Sequence, residues 1–156
     1  MKNKTVINIT FLLAILSFLF FMFNDHLPPR TPLKIARIHS GLSIPPNAKT
    51  IKFKEQYSFT GEGYMYLVLK LNDNNLVDII REIKKEKYKQ LTYENLITDK
   101  LIDRVTGCGM KLYDKDITEI KIGFYRLNAA ITNMKDFQIT VIDFQKKELT
   151  VFVNFP

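Results

Sequence analysis

The sequence predicts an α+β fold: an antiparallel sheet of about four to six strands with one or two helices on one face, preceded by a single N-terminal transmembrane helix. Three observations carry that expectation. Strand-type alternation comes in neighbouring pairs, one clear amphipathic helix lies between the pairs, and an uncharged apolar run opens the chain.

The 156 residues, 46% hydrophobic and 25% charged, suit one modest folded domain and exclude a disordered chain. Cys108 is the single cysteine, so no internal disulfide framework exists and stability must come from packing. The net charge of +7 favours anionic partners.

From Thr5 to Asn24 no charged residue occurs, and only Asn8, Thr10 and Ser17 interrupt the apolar core of the run. A helix through it reaches about 30 Å at ~1.5 Å per residue, the thickness of a bilayer's hydrocarbon core. Lys2 and Lys4 precede the run, and no small-residue cleavage pattern follows it at Phe23-Asn24-Asp25-His26-Leu27. A retained signal anchor is therefore expected over a cleaved signal peptide.

The charge rule for orientation is nearly balanced, with Arg30, Lys34 and Arg37 on the far side. A short leading tail favours a cytoplasmic N-terminus at the inner membrane, with the C-terminal part periplasmic or extracellular. The expected organisation is a cytoplasmic tail (1–5), a transmembrane signal anchor (6–24), a proline-rich stalk (25–32) and an extracytoplasmic α+β domain (33–156). Beyond residue 27 the chain keeps 21 Lys and Arg against 15 Asp and Glu, a net +6. On the outside, that charge addresses anionic headgroups or an acidic protein surface, and not nucleic acid.

Leu33 to Ser40 predicts a short helix that Gly41 ends. Ile51, Phe53, Tyr57 and Phe59 alternate as a strand requires, and Tyr64 to Leu71 is apolar on both faces, as in a central strand. Gly61-Glu62-Gly63 between them reads as a hairpin turn. It lacks the third glycine and the following helix of a dinucleotide loop. Glu62 at its tip is a candidate contact residue.

Asp73-Asn74-Asn75 offers N-cap residues for a helix with Leu76, Ile79, Ile80 and Ile83 as its apolar stripe. A second helix is expected within Thr92 to Val105, with Leu96, Ile97, Leu101, Ile102 and Val105 inward. Strand alternation resumes at Ile120, Ile122 and Phe124. Phe137, Ile139 and Val141, then Leu149, Val151, Val153 and Phe155, predict a C-terminal hairpin.

Chemical constellations are sparse. Cys108 has no base beside it in sequence, because His26 lies next to the membrane segment and His39 near the stalk. Asp114, Asp116 and Glu119 lack the spacing of a calcium loop, and Lys111 and Lys115 partly neutralise them. No catalytic residue, metal ligand or cofactor is expected. Lys84, Lys85, Lys87 and Lys89, with Lys146 and Lys147 elsewhere, are the candidate partner-binding residues together with Glu62. The aromatics Tyr57, Phe59, Tyr64, Tyr66, Tyr88 and Tyr93 mostly carry strand spacing and are expected in the core.

A basic start, one uncleaved anchor and a small exported domain without catalytic motifs together resemble small membrane-anchored bacterial immunity-type proteins. A second likeness, over Ile44-Pro45, Ile51-Lys52-Phe53, the glycine pair, Tyr64 and the closing hairpin, is to uncharacterised small bacterial proteins. The resemblance implies a non-enzymatic protein that binds a toxin or bacteriocin through its soluble domain. The alternative is a structural or accessory subunit of a cell-envelope complex, and an enzyme built on Cys108 is the third reading.

Overall fold

The computed structural model describes residues 2–23, 30–57, 59, 63–101, 120–129 and 136–155. Its strands are β1 (Lys49–Tyr57), β2 (Gly63–Lys70), β3 (Lys89–Gln90), β4 (Gly123–Ala129), β5 (Phe137–Asp143) and β6 (Glu148–Phe155). Among the described residues the helices are α1 (Lys2–Phe23), α2 (Pro32–Ser40), α3 (Asp73–Ile83) and α4 (Tyr93–Thr98). All six strands join one sheet in the order β1-β2-β6-β5-β4-β3, and every pairing is antiparallel. The fold is α+β, at the upper end of the expected strand count.

The sheet has two apolar faces because β2 is apolar on both sides, with Met65, Leu67 and Leu69 on one and Tyr66 and Val68 on the other. On one face Met65, Leu67 and Leu69 of β2 and Leu149, Val151 and Val153 of β6 pack under α2 and α3. Helix α3 presses Leu76, Ile79 and Ile83 onto that face, each buried side chain contributing about 1.5–3 kcal/mol. Its fourth expected core residue, Ile80, lies 44% exposed.

On the other face Tyr66, Val68, Phe152, Ile139 and Tyr125 pack with Leu91, Leu96 and Leu101. Leu96 belongs to α4, so helices cover both faces and not the single face expected. The cause is the sequence of β2 itself, since two apolar rows require two covers.

Local signals set most of the element ends. Thr31 caps α2 by accepting the Lys34 N–H at 3.3 Å, so Pro32 opens the helix as its first residue and does not close the stalk. Gly41 ends α2 at φ 67°, as expected. The α3 cap is Asn72, one residue before the expected set, in a reciprocal capping box with Asn75. Helix α4 is capped by Thr92 but stops at Thr98, and Lys100 turns with φ 50°. Ile97 is exposed while Leu101 is fully buried.

The C-terminal hairpin β5–β6 forms as predicted. Strand β4 starts only at Gly123, which leaves Ile122 exposed and puts Tyr125 in the core. Strand β1 departs furthest from the pattern, because Ile51, Phe53 and Phe59 are all exposed. The register breaks between Thr50 and Lys52, so Ile51 is the extra residue of a β-bulge. β1 is an edge strand, and an edge strand buries less than a central one.

Among the described residues, no helix is long and apolar enough to cross a membrane. The described side chains of α1 are those from Ile9 to Phe20, with Met22. Every one of those side chains is exposed. His26, the prolines at 28 and 29, Glu62, Cys108 and the set Lys111, Asp114, Lys115, Asp116 and Glu119 lie outside the described residues.

Candidate functional site

The predicted lysines divide in space. Lys84, Lys85 and Lys87 are exposed on the turn that follows α3, and Lys87 adopts φ 56° to complete it. The carboxylates next to them in sequence point away: Glu82 accepts the Ser43 N–H at 2.7 Å, and Glu86 pairs with Arg126 at 3.1 Å. The three ammonium groups are therefore not neutralised by their helical neighbours, and the turn presents concentrated positive charge on a fixed frame.

Lys89 does something else. Its Nζ donates to both oxygens of Asp99 at 2.8 Å, and Asp99 also accepts the Tyr125 hydroxyl at 2.7 Å. Burial, and then the Asp99 carboxylate, push the Tyr125 hydroxyl well above its usual range. This lysine secures α4 to the sheet and does not share the surface of the other three. Lys146 and Lys147 lie at the β5–β6 turn, where Lys147 pairs with Asp73 at 2.6 Å and the Lys146 carbonyl accepts Lys70 Nζ.

What fixes the turn is a polar node that no local pattern announces. Arg126, on β4 beneath the end of α2, donates to Glu86 through Nη1 and to the His39 carbonyl through Nη2 at 2.7 Å. Its guanidinium lies 5.5 Å from the centre of the Tyr88 ring. The Tyr88 hydroxyl donates to the Ser40 carbonyl at 2.9 Å, and burial raises it well above the ordinary tyrosine range although Arg126 opposes the shift. Gln138 completes the node, donating to the His39 carbonyl and lying 2.8 Å from His39 Nδ1.

The node satisfies carbonyl groups at the C-terminal end of α2, which the helix itself leaves without partners. His39 is thereby a tie within the node. Beside it, Arg37, Ile38, Gly41, Ser43 and Pro45 line an open depression of about 670 Å³, braced by the Arg37 Nε bond to the Ile44 carbonyl at 2.7 Å. Among the described residues no group of three metal-ligating side chains converges. The site can offer cationic and hydrogen-bonding contacts on a rigid support, which is the chemistry of recognition.

Arg126 and Gln138 escaped the sequence reading because their partners are 40 and 99 residues away. The one available signal was a charge inside the apolar strand Gly123–Ala129. Of the aromatics expected in the core, Tyr66 is buried there, whereas Phe59 and Tyr93 stand in the open. No protein-family model matches this chain, and no curated protein or solved structure shows significant similarity to it.

Proposed function

We propose that this chain is a membrane-anchored extracytoplasmic binding protein, an immunity protein that blocks an envelope-targeting bacteriocin or toxin. The observation that carries the reading is α1. Phe18, Leu19 and Phe20, three consecutive residues that point in different directions around a helix, are 63%, 44% and 61% exposed. Apolar surface left in water costs about 25 cal/mol per Å², and a helix apolar on every side has no face that favours water. Lipid is the solvent that removes the cost.

The domain side of the reading rests on the Lys84–Lys87 turn, held by Glu82 and Glu86, which suits capture of an acidic surface. Two measurements test it. Cells expressing the chain should survive the toxin encoded beside its gene, and a periplasmic reporter fused after Pro156 should be active. Recovery of the unprocessed chain free of membranes, or unchanged killing, would overturn it.

Phe11 and Phe18, seven residues apart and on one side of α1, favour a second reading as a subunit of an envelope complex that packs laterally. Replacing α1 with an unrelated span of equal length separates the two. An immunity protein tolerates the exchange, and a complex subunit loses its place.

A further inference from the structure

We infer that the outer edge of β1 receives an extended protein segment in which acidic residues alternate with apolar ones. The inference rests on the reading of the chain as a binding protein, and adds the binding mode and the chemistry of the partner. Among the described residues β1 ends the sheet, so its outer side presents backbone donors and acceptors to another strand.

The bulge at Ile51 gives that edge its character. Lys49, Lys52 and Lys54 pair with Lys70, Val68 and Tyr66, which share one face of β2. In a regular strand Lys49 and Lys52, three residues apart, would point to opposite faces; the extra residue brings Lys49 into line with the other two. Lys52 Nζ confirms the face, 5.5 Å from the Tyr66 ring centre. Phe53 pairs with Leu67 and belongs to the opposite face, where it is 36% exposed, while Ile51 at the bulge is 51% exposed.

A strand added beside β1 would lie about 4.8 Å away, with side chains alternating between the faces every ~3.3 Å. One of its rows meets Lys49, Lys52 and Lys54, and the other meets Thr50, Phe53 and Glu55. Acidic residues suit the first row, and apolar residues suit the second beside Phe53, where an acidic residue would face the Glu55 carboxylate. A second copy of this chain fits badly: antiparallel self-pairing centred on Lys52, Phe53 or Lys54 sets lysine against lysine. Lysines also protect edges against such self-association, and the same charge that repels a copy attracts an acidic strand. A lipid surface would use the lysines without the backbone edge.

The test uses the full-length protein in neutral detergent micelles and fluorescein-labelled peptides of alternating Asp and Val. Fluorescence anisotropy should show binding to the alternating peptide, with a Kd raised roughly tenfold or more by Lys52→Glu/Lys54→Glu. Lys49→Glu should weaken binding as well, which only the bulged register predicts. Methylating alternate peptide nitrogens should abolish it. Equal affinity for a scrambled peptide of the same composition, or no loss on N-methylation, overturns the proposal. So does a row that binds phosphatidylglycerol vesicles, with loss in the Lys→Glu variants, while ignoring the peptide. Unchanged circular dichroism of the variants shows that the fold is intact. Peptide binding without toxin protection would sink the immunity reading alone; toxin protection without peptide binding would sink this one alone.

Discussion

Arg126 Nη1 lies 3.1 Å from Glu86 Oε2, and both groups lie against the bare Cα of Gly41. A β-carbon there would approach Arg126 Nη1 to 2.7 Å and Glu86 Oε2 to 3.0 Å. One contact thus joins the end of α2, the turn after α3 and the strand β4.

Gly41→Ala is expected to destabilise the protein by about 1–2 kcal/mol, mainly because an L side chain is strained at φ 67° and also because it displaces the ion pair. Urea denaturation of the variant checks this. Unchanged stability would mean that α2 ends without a left-handed residue.

Arg126→Met should cost about 1–3 kcal/mol, because it strips the His39 carbonyl of a donor and removes the stack on Tyr88. Glu86→Gln should cost much less, since Glu86 is 42% exposed and solvent screens its pair. Denaturation of the two single variants and the double variant gives the coupling. Equal losses would place the value of the node in the ion pair.

Thr140 sits fully buried on β5, and its hydroxyl makes no regular hydrogen bond although Tyr88 lies close by. Thr140→Val should leave stability unchanged or raise it by up to about 1 kcal/mol, because it removes an unsatisfied polar group. A clear loss on thermal melting would show that the hydroxyl is bonded in solution.

High pH should unfold the domain through its tyrosines. Burial, and then the Glu148 carboxylate, push Tyr66 up to about 12 from 10.0, and Tyr88 and Tyr125 are raised further by burial. A raised pKa means that the folded chain holds its protons where the unfolded chain loses them. The associated stability is full below pH 10 and falls as pH rises through 12. Denaturant midpoints at pH 9 and pH 11, with tyrosinate absorbance followed in parallel, check the direction.

Ile79→Ala should cost about 2–5 kcal/mol, since Ile79 is 1% exposed between α3 and the sheet. Ile80→Ala, one residue along and 44% exposed, should cost well under 1 kcal/mol. Their contrast in guanidinium denaturation reports which side of α3 faces the core.

Period and capping were legible without any structure. The alternation at Phe137–Val141 and Leu149–Val153 made a hairpin, Leu76, Ile79 and Ile83 made a helix face, and Gly41 ended its helix, because each signal acts over a few residues. The apolar character of both β2 rows was also visible, although its consequence, a helix on each side of the sheet, was not drawn from it.

Tertiary structure alone decided the rest. Glu82 and Glu86 turn toward Ser43 and Arg126, which are brought to them from distant positions, and that is what leaves Lys84, Lys85 and Lys87 without a carboxylate from the turn while Lys89 is spent on Asp99. The single extra residue at Ile51 changes the face on which Lys49 stands, and a bulge depends on pairing with β2 and not on the local sequence. Short-range periodicity chooses the elements; contacts between elements choose which charges meet one another and which meet solvent.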